Sequence, residues 1–145
     1  MLKLFNAVDT LHSDNLPNIF QRFPGPARVK GYFYSLLSDE ETALFITEAA
    51  GGITGFILAF VRDTPSIPVF IPARIVLISD IAVMTKFRRQ GIGSRLMEWV
   101  CRWAKTKGAS SIELNVYSFI HYAIEFYKAI GFYTINLRMR KSIGE

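Results

Sequence analysis

A chain of 145 residues, half of them hydrophobic, suffices for one well-filled core, so a single domain over 1–145 is expected. Cys101 is the sole cysteine, which excludes an intramolecular disulfide and a cysteine-rich metal site, and the net charge of +5 favours an anionic ligand without choosing between a nucleotide and a nucleic acid. The opening run Met1-Leu2-Lys3-Leu4-Phe5-Asn6 lacks the apolar middle of a secretory signal, and the most apolar stretch, 53–61, is shorter than the roughly 20 residues of a membrane-spanning helix, so a cytoplasmic protein is expected.

Residues 2–7 read as a short first strand. His12-Ser13-Asp14-Asn15-Leu16-Pro17 then offers a polar cap and a proline suited to the first turn of a helix that runs through Phe20. Pro24 and Pro26 break the chain, and Val29, Tyr32, Phe33 and Leu36 recur at the spacing of one helical face. Residues 42–48 and 53–62 are rich in strand formers and flank Ala49-Ala50-Gly51-Gly52, a hairpin pattern. Three prolines, at 65, 68 and 72, make 63–72 a surface loop.

A further strand is expected over 75–84. Residues 91–107 form the clearest helix, with Ile92, Leu96, Trp99, Val100 and Trp103 on one side and Arg95, Glu98, Arg102 and Lys105 on the other. Gly108 suits its C-terminal cap, and Cys101 inside it reads as a packing residue. Residues 111–117 read as a strand. Ala123, Phe126, Tyr127 and Ile130 mark another helical face ended by Gly131, and the alternation in 132–141 predicts a closing strand. Strands and helices so mixed, without repeats, imply an α/β sheet.

The chemistry concentrates in Arg88-Arg89-Gln90-Gly91-Ile92-Gly93-Ser94, which follows a predicted strand and opens the strongest helix. The first amides of a helix lack intrahelical acceptors, two glycines let an oxygen-rich group approach the backbone, and the dipole with Arg88 and Arg89 favours a pyrophosphate. Taken alone, the same residues also fit an ordinary tight turn at a helix start. The glycine spacing is not that of the dinucleotide fingerprint, and no Gly-Lys-Ser/Thr follows to make a P-loop.

Residues 81–93, with Arg88, Gly91 and Gly93 at the core, resemble the cofactor motif of the GNAT family of N-acetyltransferases: Arg or Gln, two residues, Gly, one residue, then Gly or Ala. Residues 123–132, with Tyr127 four residues before Gly131-Phe132, resemble that family's C-terminal helix. The resemblance covers nearly the whole chain and is most specific over 76–141. It implies a GNAT fold, a mixed and mostly antiparallel sheet with splayed central strands flanked by helices. It also implies acetyl transfer from acetyl-coenzyme A to a primary amine, with no metal.

Carried over residue by residue, the resemblance gives Ile81, Ala82 and Val83 the pantetheine arm, held along a bulged strand that splays from its neighbour, with an amide at or near Val83 facing the thioester oxygen. Arg88, Arg89, Gln90, Gly91, Ile92, Gly93 and Ser94 hold the pyrophosphate. Tyr127 matches the usual general acid, the alternative being a core aromatic on the face of Ala123 and Ile130. Asp80 is the first candidate for the base and Glu113 the second, a solvated or salt-bridged carboxylate being the plain alternative for each. His12 and His121 read as surface or capping residues. Ile120 stands where the family often has an asparagine that touches the cofactor, and Thr85 where it often has a proline.

The acceptor is expected to be a small-molecule amine, a protein N-terminus or a lysine. A homodimer is compatible with the sequence, and neither a membrane nor a nucleic acid is expected as a partner. The competing reading is a non-catalytic module that binds or senses acyl-coenzyme A, kept open by Ile120 and by the unsettled base.

Overall fold

The computed structural model describes residues 35–49 and 51–144. The expected strand over 2–7, the helix through Phe20 and most of the face begun at Val29 lie outside the described residues; residues 35–37 are helical. The remaining elements are β1 (Thr42–Ala49), β2 (Gly52–Asp63), β3 (Arg74–Val83), a 3-10 turn (Thr85–Phe87), α1 (Ile92–Thr106), β4 (Ser111–Leu114) and α2 (His121–Ala129). The chain divides into two compact units, one ending at Asn115 and one beginning at Val116.

In the larger unit the described strands form one sheet in the order β1-β2-β3-β4. The expected hairpin is present, with β1 antiparallel to β2 from Thr42↔Phe60 to Ala49↔Gly52. β2 is antiparallel to β3, and β3 is parallel to β4 only through Ile75↔Ser111 to Ile78↔Leu114. The sheet is therefore mixed and mostly antiparallel, and β3 runs five residues past the end of its β4 ladder.

The sheet buries both faces, which is why β2 reads as an almost unbroken apolar run. On one face Phe56 and Leu58 are fully buried against Leu36, Leu44, Ile53, Phe60, Ala82 and Met84. The other face carries α1, whose buried Leu96, Met97, Val100 and Ala104 recur at i, i+1, i+4 and i+8, and whose Trp99 ring lies 6.2 Å from that of Phe45. Each fully buried Phe, Ile or Leu contributes about 1.5–3 kcal/mol relative to an exposed one, so the central strand, with Phe56, Ile57 and Leu58 all inaccessible, anchors this unit. Thr54, also buried, shares a 2.9 Å hydroxyl hydrogen bond with Thr47, which offsets its desolvation. At the end of α1 the amides of Gly108 and Ala109 return to the carbonyls of Lys105 and Ala104, the paired bonds that let the chain turn directly into β4.

Two expected strands differ. The one predicted over 111–117 stops at Leu114, where its ladder with β3 ends. The one predicted over 132–141 takes no part in the sheet, and residues 132–144 are neither helix nor strand. Alternation shows that a segment suits a strand; it does not supply the partner that makes it one.

In the smaller unit, α2 starts at the buried Ile120, which makes no side-chain cap, and ends at Gly131, whose φ of +103° a β-carbon would disfavour. The Gly131 amide donates to Lys128 O and the Phe132 amide to Tyr127 O, at 3.1 and 2.9 Å. This reversal brings the Phe132 ring to 5.7 Å from the Tyr127 ring, which also has the Phe126 ring at 5.5 Å. The Tyr-x-x-x-Gly-Phe spacing thus has a local cause: glycine turns the chain, and the next aromatic packs on the tyrosine three residues into the helix end.

Candidate active site

The first half of the site lies on β3. Leu58 pairs with Asp80 and Ala59 with Ile78, so Ser79 is an extra residue, a bulge. It reverses the phase of the strand. Before it, Val76 and Ile78 share the face of Phe45, Ile57 and α1; after it, Asp80 and Ala82 join the face of Phe56 and Leu58, and Ile81 and Val83 take the α1 side. Asp80 is half-buried at the bulge, and the Ser79 hydroxyl donates to its Oδ2 at 2.8 Å.

Beyond Ile78 the edge of β3 that faced β4 continues through Val83 without a ladder to any of the described residues. The Met84 amide donates to Thr54 O at 2.7 Å, toward β2. Because successive residues of an antiparallel strand turn their N–H and C=O to opposite edges, those of Val83 and Ile81 point to the unladdered edge. The Val83 carbonyl there accepts a hydrogen bond from Arg88 Nε at 3.2 Å.

The second half of the site is the turn into α1. Arg89 has φ +62° and Gly91 φ +79°, two left-handed residues within three positions. The first is a non-glycine residue held in a conformation that costs about 1–2 kcal/mol, the kind of local strain found at functional sites. Gly91 is the N-cap of α1 and supplies no side-chain acceptor, and the first turn contains no acidic residue. The helix ladder starts with the Arg95 amide donating to Gly91 O at 3.0 Å, so the amides of Ile92, Gly93 and Ser94 precede it. Arg88 and Arg89 are exposed beside them. Positive dipole, unladdered amides and guanidinium charge therefore coincide, which is what a pyrophosphate requires.

Gly55 brings the two halves together. It pairs with Val83 across the ladder, and a β-carbon there would lie 3.0 Å from Ala82 O, 3.1 Å from Thr47 Oγ1 and 3.2 Å from Ile92 Cγ2. Only a residue without a side chain lets the first residue of α1 come down on the sheet beside Val83. Sequence reading passed over Gly55, although an isolated glycine inside Ile53-Thr54-Gly55-Phe56 is the usual mark of a close backbone approach.

Tyr127 belongs to the smaller unit. It is buried, and that burial, with a smaller contribution from Tyr122, pushes its phenol up to about 12, so the hydroxyl keeps its proton throughout the neutral range. Ile120 is also buried and so has a packing role of its own, while His121 is exposed at the first position of α2. Glu113 is half-buried in the middle of β4, opposite Leu77. Among the described residues no three His, Cys, Asp or Glu side chains cluster as metal ligands, and no helix is long and apolar enough to cross a membrane.

An open strand edge that leads to a glycine-capped, cationic helix start defines a protein suited to a long ligand with an amide-bearing arm and a phosphate-bearing end. The chain belongs to the acetyltransferase (GNAT) family, whose family model matches residues 5–132. It is 34% identical over 101 residues to an uncharacterised N-acetyltransferase of Methanocaldococcus jannaschii, an alignment covering 70% of this chain and 43% of that relative. The chain thus spans less than half the length of that curated relative. Its fold matches that of the BH1408 protein from Bacillus halodurans, in the structure of a tetramutant, with a TM-score of 0.91 and 24% identity over 98% of this chain and 91% of the other. It also matches AAC(6')-Iy in complex with the bisubstrate analogue CoA-S-monomethyl-acetylneamine, with a TM-score of 0.65 and 21% identity over 92% and 90% of the two chains.

Proposed function

We propose that this protein is a cytoplasmic N-acetyltransferase, one domain over 1–145, which transfers an acetyl group from acetyl-coenzyme A to a primary amine by direct attack. The observation that carries the reading is the junction at Val83, Arg88 and Gly91, where an unladdered strand edge meets the unladdered amides of α1. Those residues fit the cosubstrate. The edge formed by Ile81, Ala82 and Val83 matches the amides of a pantetheine arm, and the turn from Arg88 to Ser94 matches a pyrophosphate.

When bound, the thioester would supply the acetyl group: the amine nitrogen forms the new C–N bond, the C–S bond breaks as the tetrahedral intermediate collapses to the amide, the nitrogen gives up its extra proton, and coenzyme A leaves as the thiol. The Val83 amide, aimed at the open edge, stabilises charge developing on the acyl oxygen without having to reorganise. Asp80 accepts the proton that the ammonium form of the acceptor must lose before it can attack. Tyr127, protonated because its phenol is buried, donates to the departing sulfur.

The acceptor is best sought among small-molecule amines. The neighbour solved with a coenzyme A–acetylneamine conjugate supports a site that holds coenzyme A and an amine together, and protein N-termini and lysines complete the search set. A panel of such amines, assayed for amine-dependent release of free coenzyme A, tests the proposal. Tight acetyl-coenzyme A binding with no turnover on any amine would favour the non-catalytic sensing module instead, a reading supported by the apolar Ile120 and by the unsettled base.

A further inference from the structure

A second irregularity of the sheet lies beside the open edge. β1 and β2 pair as Thr47↔Gly55 and then as Glu48↔Ile53, so Thr54 is an extra residue of β2, a bulge like that of Ser79 in β3. A bulged residue is left out of the ladder it interrupts, and other contacts must fix its orientation. Thr54 has two. Its carbonyl accepts the Met84 amide at 2.7 Å, one residue past the end of β3, and its buried hydroxyl meets the Thr47 hydroxyl at 2.9 Å.

The far end of this contact gives it a direction. Thr47 Oγ1 donates to Gly55 O at 3.4 Å, which leaves it to accept the proton of the Thr54 hydroxyl. The bonds thus run from Thr54 through Thr47 to Gly55 and tie the bulge to the residue that pairs with Val83. Thr47 Oγ1 and Ile92 Cγ2 both crowd the position of a β-carbon on Gly55, at 3.1 and 3.2 Å, so the hydroxyl pair lies against the sheet under the first turn of α1. Packing alone does not call for hydroxyls there. Valine has the same shape, and a buried hydroxyl costs free energy unless it is bonded.

We infer, on the reading of the Val83 edge as the seat of the pantetheine arm, that Thr47 and Thr54 are positioning residues for the cosubstrate. Their hydroxyl pair sets the Thr54 bulge, and the bulge, through the Met84 amide and the Gly55 pairing, sets where the end of β3 lies. Both act through the backbone of β3. The turn from Arg88 to Ser94 is held separately, by α1 and by the bond from Arg88 to Val83 O, so the two ends of the cosubstrate depend on different contacts.

The test is calorimetric titration of the whole chain with acetyl-coenzyme A and with 3′-phosphoadenosine 5′-diphosphate, the nucleotide end without the arm. The double variant Thr47→Val, Thr54→Val removes both hydroxyls and keeps both shapes, so its denaturant unfolding should match that of the parent. Acetyl-coenzyme A should nonetheless bind it on the order of tenfold more weakly, the weight of about one hydrogen bond, with affinity for the nucleotide unchanged. Thr54→Ser, which keeps the hydroxyl, should bind both ligands as the parent does. Thr47→Val alone breaks the same chain of bonds and serves as the second variant if the double one folds poorly. A double variant that binds acetyl-coenzyme A as tightly as the parent overturns the inference, and so does one that loses affinity for both ligands alike. A parent that binds the two ligands equally, or neither of them, refutes the reading of the edge and the inference with it.

Discussion

Arg88 Nε donates to the carbonyl of Val83 at 3.2 Å, so a side chain from the turn before α1 holds the last residue of β3 on the edge where, among the described residues, the β4 ladder has ended. The guanidinium thereby has two roles, adding positive charge beside the α1 amides and fixing the position of the strand end. Arg88→Met removes both; only the charge is screened by salt. Acetyl-coenzyme A affinity in the variant is expected to fall about tenfold in dilute buffer, and the greater part of the loss should persist in concentrated salt. Calorimetric titration at the two salt levels measures the division.

Gly91 separates backbone conformation from side-chain crowding, because its φ is +79° and a β-carbon there would meet nothing within 4 Å. Gly91→Ala should therefore cost only the left-handed strain, about 1–2 kcal/mol, read by thermal or denaturant unfolding. Gly91→Glu adds a carboxylate at the helix start and should abolish acetyl-coenzyme A binding in a folded protein. Unchanged affinity in that variant would place the pyrophosphate elsewhere.

At Gly55 the situation is reversed. Its three close neighbours include a carbonyl oxygen of β3 that cannot rotate away, so Gly55→Ala forces β3 and α1 apart. Overpacking of this kind costs about 1–3 kcal/mol. Because the strain falls between Val83 and Ile92, cofactor affinity should drop with stability, in contrast to a comparably destabilising change at the far end of α1. Unfolding curves and titrations of both variants test the difference.

Tyr127→Phe preserves ring packing against Phe126 and Phe132 and removes only the hydroxyl. Turnover with a cognate amine should fall by about 10²-fold or more while the Michaelis constant for acetyl-coenzyme A changes little, the signature of an interaction made in the transition state. The raised phenol also gives a stability signature. Between pH 10 and 12 the folded state keeps a proton that the unfolded state releases, so stability present below pH 10 is lost as pH rises through that window, by about 3 kcal/mol in the limit. Tyr127→Phe should lack this part of the alkaline decline, which unfolding measurements across the window will reveal.

Ile120 is buried at the N-cap of α2, where asparagine would gain a cap bond but lose apolar burial. A cap contributes about 0.5–2 kcal/mol and a buried isoleucine about 1.5–3, so Ile120→Asn should be neutral to mildly destabilising. Its melting temperature checks this, and titration shows whether the amide improves cofactor binding.

Much of the described fold was legible in the sequence because the signals were local. The glycines at 51 and 52 between two runs of strand formers marked the hairpin, and the apolar stripe from Ile92 to Trp103 marked α1. The helix start at Gly91 was legible for the same reason, as was the Gly131-Phe132 turn that packs on Tyr127. The bulge at Ser79 was not: it depends on how β3 registers with β2, and nothing in Ile78-Ser79-Asp80 announces it, yet it decides which face Asp80 occupies. The unladdered edge at Val83 likewise depends on where β4 stops. The closing strand expected over 132–141 is not formed, residues 132–144 being neither helix nor strand, because alternation cannot name the partner that a strand needs.

The most direct measurement of the central claim is a single-turnover experiment in which the protein, saturated with acetyl-coenzyme A, is mixed with members of an amine panel, and free thiol and acetylated amine are both quantified. Acetyl transfer by direct attack requires at least one amine to yield thiol and acetylated product in equal amounts, at a rate that depends on amine concentration and falls in Tyr127→Phe. Thiol released at the same slow rate with or without any amine, and no acetylated product, would contradict it.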